Sequence, residues 1–134
     1  MISVLVADDD RDLRELMCAL LKGMADISPI SQAADGYEAV KLSKELIPDI
    51  VLLDLRMPGI DGLEAAKQIA ALRLKTQVII TSQYISPAML DQVQVQGVAG
   101  YLSKRFIFQK LETAIRTVYS GHTYFPTNDN ELGM

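Results

Sequence analysis

The residues of this chain that could do chemistry share one setting. Asp54 closes the apolar run Ile50-Val51-Leu52-Leu53, and Asp8 and Asp9 close Ile2-Ser3-Val4-Leu5-Val6-Ala7. Thr81 and Ser82 close Gln77-Val78-Ile79-Ile80, and Lys104 lies just past Val98-Ala99-Gly100-Tyr101-Leu102. Short apolar runs of this kind read as strands buried on both faces of a parallel sheet. Ligands of such sheets bind outside the carboxyl ends of the strands, which is where these polar residues fall. Three carboxylates in one place repel one another and raise each other's pKa. A divalent cation relieves that repulsion, and oxygen ligands with retained waters suit Mg²⁺. A hydroxyl and an ammonium facing the same spot suit an anion rich in oxygens. Carboxylate, Mg²⁺, hydroxyl and lysine together describe phosphoryl transfer to an aspartate.

The rest of the chain supplies elements to hold these ends. The first strand, β1 (residues 2–7), leads into a helix α1 at about 10–22, with Asp10 as its cap and Leu13, Leu16, Met17, Leu20 and Leu21 as one apolar face ending at Gly23. A weaker strand β2 spans 26–33, where Pro29 favours a sheet edge. Asp35 and Glu38 open α2, whose pattern runs through Ala39, Val40, Leu42, Leu46 and Ile47 until Pro48 stops it. After β3 (50–54), Met57-Pro58-Gly59 breaks the chain. Asp61 with Glu64 then forms a capping box for α3, at about 62–73, which packs through Ala65, Ala66, Ile69 and Ala70. Strand β4 (77–82) is followed by Ser86-Pro87, a cap and first-turn proline opening α4 to about 96. Glutamines at 92, 94 and 96 leave α4 little apolar material, so loose packing is expected. Strand β5 (98–102) and helix α5 (107–120), with Leu111, Ala114, Ile115 and Val118 inward and Gly121 as stop, complete the series. Alternating strands and helices with short connections give a parallel α/β sheet covered on both faces.

The totals bound the function. A chain of 134 residues, 49% hydrophobic and 22% charged, suits one soluble domain. A net charge of -4 argues against this segment gripping a phosphate backbone. The single cysteine, Cys18, sits among Leu16, Met17, Leu20 and Leu21 and reads as a small buried hydrophobe. With no leader and no apolar run of spanning length, a cytoplasmic protein without membrane contact is expected.

The stretches Val4-Leu5-Val6-Ala7-Asp8-Asp9, Leu52-Leu53-Asp54-Leu55-Arg56-Met57-Pro58-Gly59-Ile60-Asp61-Gly62, Ile79-Ile80-Thr81-Ser82 and Gly97-Val98-Ala99-Gly100-Tyr101-Leu102-Ser103-Lys104 resemble the receiver domain of two-component response regulators. The resemblance implies a flavodoxin-like, doubly wound (βα)5 sheet of strand order 2-1-3-4-5, with residues 1–121 as the receiver and 122–134 as a linker or tail. It implies Asp54 as phosphoacceptor, and Mg²⁺ held by Asp8, Asp9, Asp54 and the backbone carbonyl of Arg56. Lys104 would pair with a phosphoryl oxygen. Thr81, with Ser82 beside it, would bind the phosphoryl group, and Tyr101 would swing inward. The resemblance places Arg56 and Gln83 at positions that tune phosphoryl lifetime in that family. Arg105, where many receivers carry proline or an acid, departs from the pattern. The implied partners are a sensor histidine kinase as phosphodonor and a second copy of the chain on phosphorylation. The ending from Ala114 to Pro126 resembles the junction to a LuxR-type helix-turn-helix domain, so DNA would be met only through an output domain absent here.

Each residue also has a plainer reading. The acids at 8–10 could cap α1, Thr81 could be a strand-end hydroxyl, Tyr101 a core aromatic and Lys104 a solvated loop lysine. His122 reads as a surface residue. Three other functions compete. A stand-alone receiver would act by protein contacts. A phosphatase of the haloacid dehalogenase kind normally needs Asp-x-Asp and a cap, whereas Leu55-Arg56 follows Asp54. A nucleotide-binding domain lacks its glycine-rich loop.

Overall fold

In the computed structural model, which describes residues 1–126, strands and helices alternate from end to end. Five strands, β1 (Ile2–Ala7), β2 (Ile27–Ala33), β3 (Ile50–Asp54), β4 (Gln77–Ser82) and β5 (Gly100–Ser103), form one parallel sheet in the order β2-β1-β3-β4-β5. Five helices cover it: α1 (Arg11–Lys22), α2 (Gly36–Leu46), α3 (Gly62–Ala71), α4 (Pro87–Val95) and α5 (Ile107–Tyr119). The expected flavodoxin-like order is therefore the observed one, and the Pro29 strand lies at the edge.

The period-2 alternation of the central strands explains their unbroken apolar runs. Val51 and Leu53 face one core with α2, α3 and α4, whereas Ile50 and Leu52 face the other with α1 and α5. Helix starts follow local chemistry. The side chains of Asp10, Asp35, Asp61 and Ser86 accept the amide hydrogens of Leu13, Glu38, Glu64 and Met89. These caps set where each helix enters after its strand. None of the described helices is long and apolar enough to cross a membrane.

Several details differ from the periodicity. Leu16 is 39% exposed, because the buried stripe of α1 centres on Met17, Cys18 and Leu21 and leaves Leu16 on its shoulder. Leu46 and Ile47 are also exposed, since Ile47 takes a left-handed φ of 46° and turns the chain away from the core. Helix α4 buries only Val93, and Val95 is 80% exposed, in line with the loose packing expected. Strand β5 begins at Gly100 rather than Val98, because the Val98 amide still bonds back to the Val93 carbonyl of α4. Helix α3 stops at Ala71, and Arg73 makes the turn at φ 53°.

After α5 the chain stays on the domain. Gly121, at φ 97°, reverses it, and Tyr124 bridges Gly100 in parallel at the free edge of β5. His122 is exposed, as expected, with Nδ1 3.2 Å from Ser120 Oγ. The remainder of the 122–134 segment expected as linker or tail, from 127 on, lies outside the described residues.

Candidate functional site

Strand register decides which residues meet. Asp54 is paired with Thr81 across β3 and β4, and the Leu55 amide donates to the Thr81 carbonyl at 2.9 Å. Ala7 is paired with Leu53, so Asp8 at the end of β1 comes up beside Asp54. Oxygens of Asp8, Asp9 and Asp54 all lie within 4.8 Å of one another. Asp8 and Asp54 are buried, and Asp9 is exposed at the mouth.

Lys104 reaches back over the strand ends from a single 3₁₀ turn, Lys104–Phe106. Its Nζ lies 3.0 Å from Asp8 Oδ2 and 3.2 Å from Asp54 Oδ1, with only 10% of the side chain exposed. The solvated-lysine reading is thus excluded. Asp8 Oδ1 accepts the Asp10 amide at 2.8 Å, while Oδ2 has the ion pair but no aligned hydrogen-bond donor. Asp54 Oδ1 also accepts the Arg56 amide at 3.3 Å.

Burial and the neighbouring Asp8 charge raise the Asp54 carboxyl to about 7, against the opposing pull of Lys104. Burial disfavours the Lys104 ammonium, but the two carboxylates outweigh it and hold its pKa above the usual lysine value. Removing that ammonium strands two buried carboxylates. Lys104→Ala is therefore expected to stay folded but to lose about 2 kcal/mol at pH 8 in the presence of chelator. The loss shrinks at pH 5, where Asp54 takes up a proton and ceases to repel Asp8. Thermal unfolding at the two pH values checks this, and an equal loss at both would assign Lys104 a packing role instead.

Thr81 Oγ1 is buried and has no hydrogen-bond partner; among the described residues only Asp8 Oδ2 shares that condition. Ser82 is differently engaged. Its hydroxyl donates to the Tyr84 carbonyl at 2.7 Å and closes the turn after β4, while its carbonyl accepts the Tyr101 phenol at 3.1 Å. Tyr101 is buried and points inward. Arg56 and Gln83 are exposed beside the acidic pocket that Asp9, Asp54, Ser82 and Lys104 line. Arg105 packs its guanidinium 5.6 Å from the centre of the Phe106 ring.

Two supports were given no role by the sequence reading. Arg14 Nη1 donates to the Asp8 carbonyl at 2.7 Å and pins the end of β1. Gly62 allows the start of α3 to press on the strand end, its amide donating to the Leu55 carbonyl at 2.8 Å. Only the second was readable in principle, as a glycine one residue past a cap.

The oxygens of Asp8, Asp9 and Asp54 converge as hard ligands and suit a small divalent cation. The remaining groups, an ammonium and an orphan hydroxyl, suit an oxygen-rich anion. The response regulator receiver domain family matches residues 4–116. UvrY, a response regulator of Escherichia coli strain K12, is 36% identical over 128 residues, 96% of this chain and 59% of UvrY. LiaR, a transcriptional regulatory protein of Bacillus subtilis strain 168, is 37% identical over 121 residues, 90% of this chain and 57% of LiaR. The solved signal receiver domain of NarL from Mycobacterium tuberculosis superposes with a TM-score of 0.86 at 33% identity, covering 90% of this chain and 98% of that one. The chain spans about three fifths of the length of the curated relatives it matches. Fold, site and relatives agree: the chain belongs to the response regulator receiver domains, of the LuxR/NarL type.

Proposed function

We propose that Asp54 accepts a phosphoryl group from a sensor histidine kinase and that the adduct switches the face formed by α4, β5 and α5. One observation carries this reading. A buried carboxylate, a lysine 3.2 Å from it and an unpartnered buried hydroxyl converge at the carboxyl ends of adjacent strands.

In the transfer, an Asp54 carboxylate oxygen attacks phosphorus. A P–O bond forms, and the bond from phosphorus to the donor's imidazole nitrogen breaks, its electron pair leaving with the imidazole. Lys104 stays close to the reacting oxygen and pairs with a phosphoryl oxygen as negative charge arrives. Thr81 Oγ1 donates to a second oxygen and so gains the partner it lacks. Asp8, Asp9, Asp54 and the Arg56 carbonyl would hold Mg²⁺, which supplies charge neutralisation to the entering group. Arg56 and Gln83 stand where they would govern water access and hence adduct lifetime. The hydroxyl of Ser82 is occupied by Tyr84, so Ser82 serves through its carbonyl, which holds Tyr101 inward.

The reading makes the chain a signalling domain rather than an enzyme acting on a separate substrate. We assign residues 1–121 to the receiver and 122–134 to the segment leading to an output. Because relatives such as LiaR are transcriptional regulatory proteins, that output is taken as a helix-turn-helix domain beyond this chain. Phosphorylation would favour pairing of two copies.

The test is direct. Acetyl phosphate with Mg²⁺ should add one phosphoryl group to the chain, read by rapid intact-mass measurement. No gain, with no response to beryllofluoride, overturns the proposal. Asp9→Ala should fold as the parent does, because Asp9 is exposed, yet lose detectable Mg²⁺ binding. Amide shifts on Mg²⁺ titration measure this, and parent-like binding would misplace the metal.

A further inference from the structure

The free edge of β5 is occupied by the chain's own return. The Tyr124 amide donates to the Ala99 carbonyl at 2.9 Å, and the Tyr101 amide donates to the Tyr124 carbonyl at 2.8 Å. Tyr124 packs with the α1 and α5 core, while the next residue, Phe125, packs with the core on the opposite face. Successive side chains thus clasp both sides of the sheet edge, as they would in a sixth strand. Gly100 makes the room. A Cβ there would lie 2.9 Å from the Tyr124 carbonyl oxygen and 3.4 Å from its Cβ.

Tyr101 joins this clasp to the acid site. Its backbone amide holds Tyr124, and its phenol holds the Ser82 carbonyl, one residue from the unpartnered Thr81 hydroxyl. We infer that residues 122–126 are a reporter strand whose docking on β5 tightens when Asp54 is phosphorylated. The inference rests on the phosphoacceptor reading. A phosphoryl oxygen gives Thr81 an acceptor and fixes the end of β4. The Ser82 carbonyl is then fixed for the Tyr101 phenol, and the Tyr101 amide for Tyr124. The segment that leaves the domain therefore carries the state of Asp54. Coupling of this kind is reciprocal, so an undocked strand must weaken the adduct.

Amide hydrogen exchange of the full chain, followed by NMR, tests this with Mg²⁺ and beryllofluoride as the phosphoryl probe. Adduct formation is verified independently by fluorine NMR. Exchange at Tyr101 and Tyr124 is expected to slow about tenfold in the adduct. Gly100→Ala should expose the Tyr124 amide, keep the Leu52 and Ile79 amides protected, and weaken beryllofluoride binding about fivefold. Should Gly100→Ala lose core protection, the double variant Tyr124→Ala, Phe125→Ala makes the same test from the other side. An adduct that leaves Tyr124 exchange unchanged or faster overturns this inference alone. An adduct that binds as tightly to an undocked variant does the same. Failure to form any adduct overturns the phosphoacceptor reading and this inference with it.

Discussion

Asp54→Asn is expected to take up no phosphoryl group under conditions that label the parent once. Asparagine keeps the shape and the hydrogen bond from the Arg56 amide, but its amide has no nucleophilic oxygen anion to attack phosphorus. A second effect runs in the opposite direction. The carboxyl of Asp54 is raised from an ordinary value of 3.8 to about 7, because burial and Asp8 both oppose its charge. A folded-state pKa above the unfolded one means the native state binds more protons between those values. Stability that is full below about pH 4 is therefore lost as pH rises to about 7. A neutral asparagine side chain at this position carries no such penalty. The variant should match the parent near pH 4 and exceed it by about 2 kcal/mol at pH 8 in chelator. Lys104 remains paired to Asp8 in the variant, so no charge is stranded. Denaturant midpoints at the two pH values read the difference. Equal labelling of parent and variant would remove Asp54 from the acceptor role. A variant less stable than the parent at pH 8 would show that Lys104 offsets the burial fully.

Gly62→Ala is expected to cost about 3 kcal/mol and to impair labelling as well. Helix propensity points the other way, since alanine in place of glycine inside a helix stabilises by up to about 1 kcal/mol. Space decides the sign. A Cβ at Gly62 would overlap the Asp54 carbonyl oxygen and lie 2.7 Å from Leu55 Cα. Neither is the flexible end of a side chain. The first turn of α3 or the end of β3 must move, and β3 is buried on both faces at every position. The displacement falls on the acceptor residue itself, so loss of stability and loss of phosphoryl uptake should appear together. Gly23→Ala serves as control, because its Cβ meets only the Leu20 carbonyl at 3.4 Å and its φ of -73° suits any residue. Urea unfolding of the pair checks the claim. A Gly62→Ala chain as stable as the parent would mean that the strand end yields without cost.

Local chemistry made much of this protein legible from its sequence. Central strands buried on both faces are largely apolar, so the acids and hydroxyls that close β1, β3 and β4 stood out against them. Asp8, Asp54 and Thr81 stood out for that reason, and Lys104 as the first charge past β5. Caps were equally plain, because an aspartate or serine that accepts an amide three residues ahead is a short-range device. A parallel alternation of strand and helix then left few ways to arrange five strands. What tertiary structure alone decided are the contacts between ends that are distant in sequence. Whether Lys104 is solvated or clamped between two carboxylates depends on the 3₁₀ turn that aims it. The orphan state of the Thr81 hydroxyl and the inward pose of Tyr101 depend on how β4 and β5 sit together. The fate of Leu16, Leu46 and Ile47 depended on which neighbour covered each helix shoulder, which periodicity does not specify. Least legible was the return of Tyr124 and Phe125 to the edge of β5. Two residues have no period to read, and the bonds that hold them are backbone bonds, which any side chain permits. Their partner is an open sheet edge, and an open edge exists only once the sheet has formed.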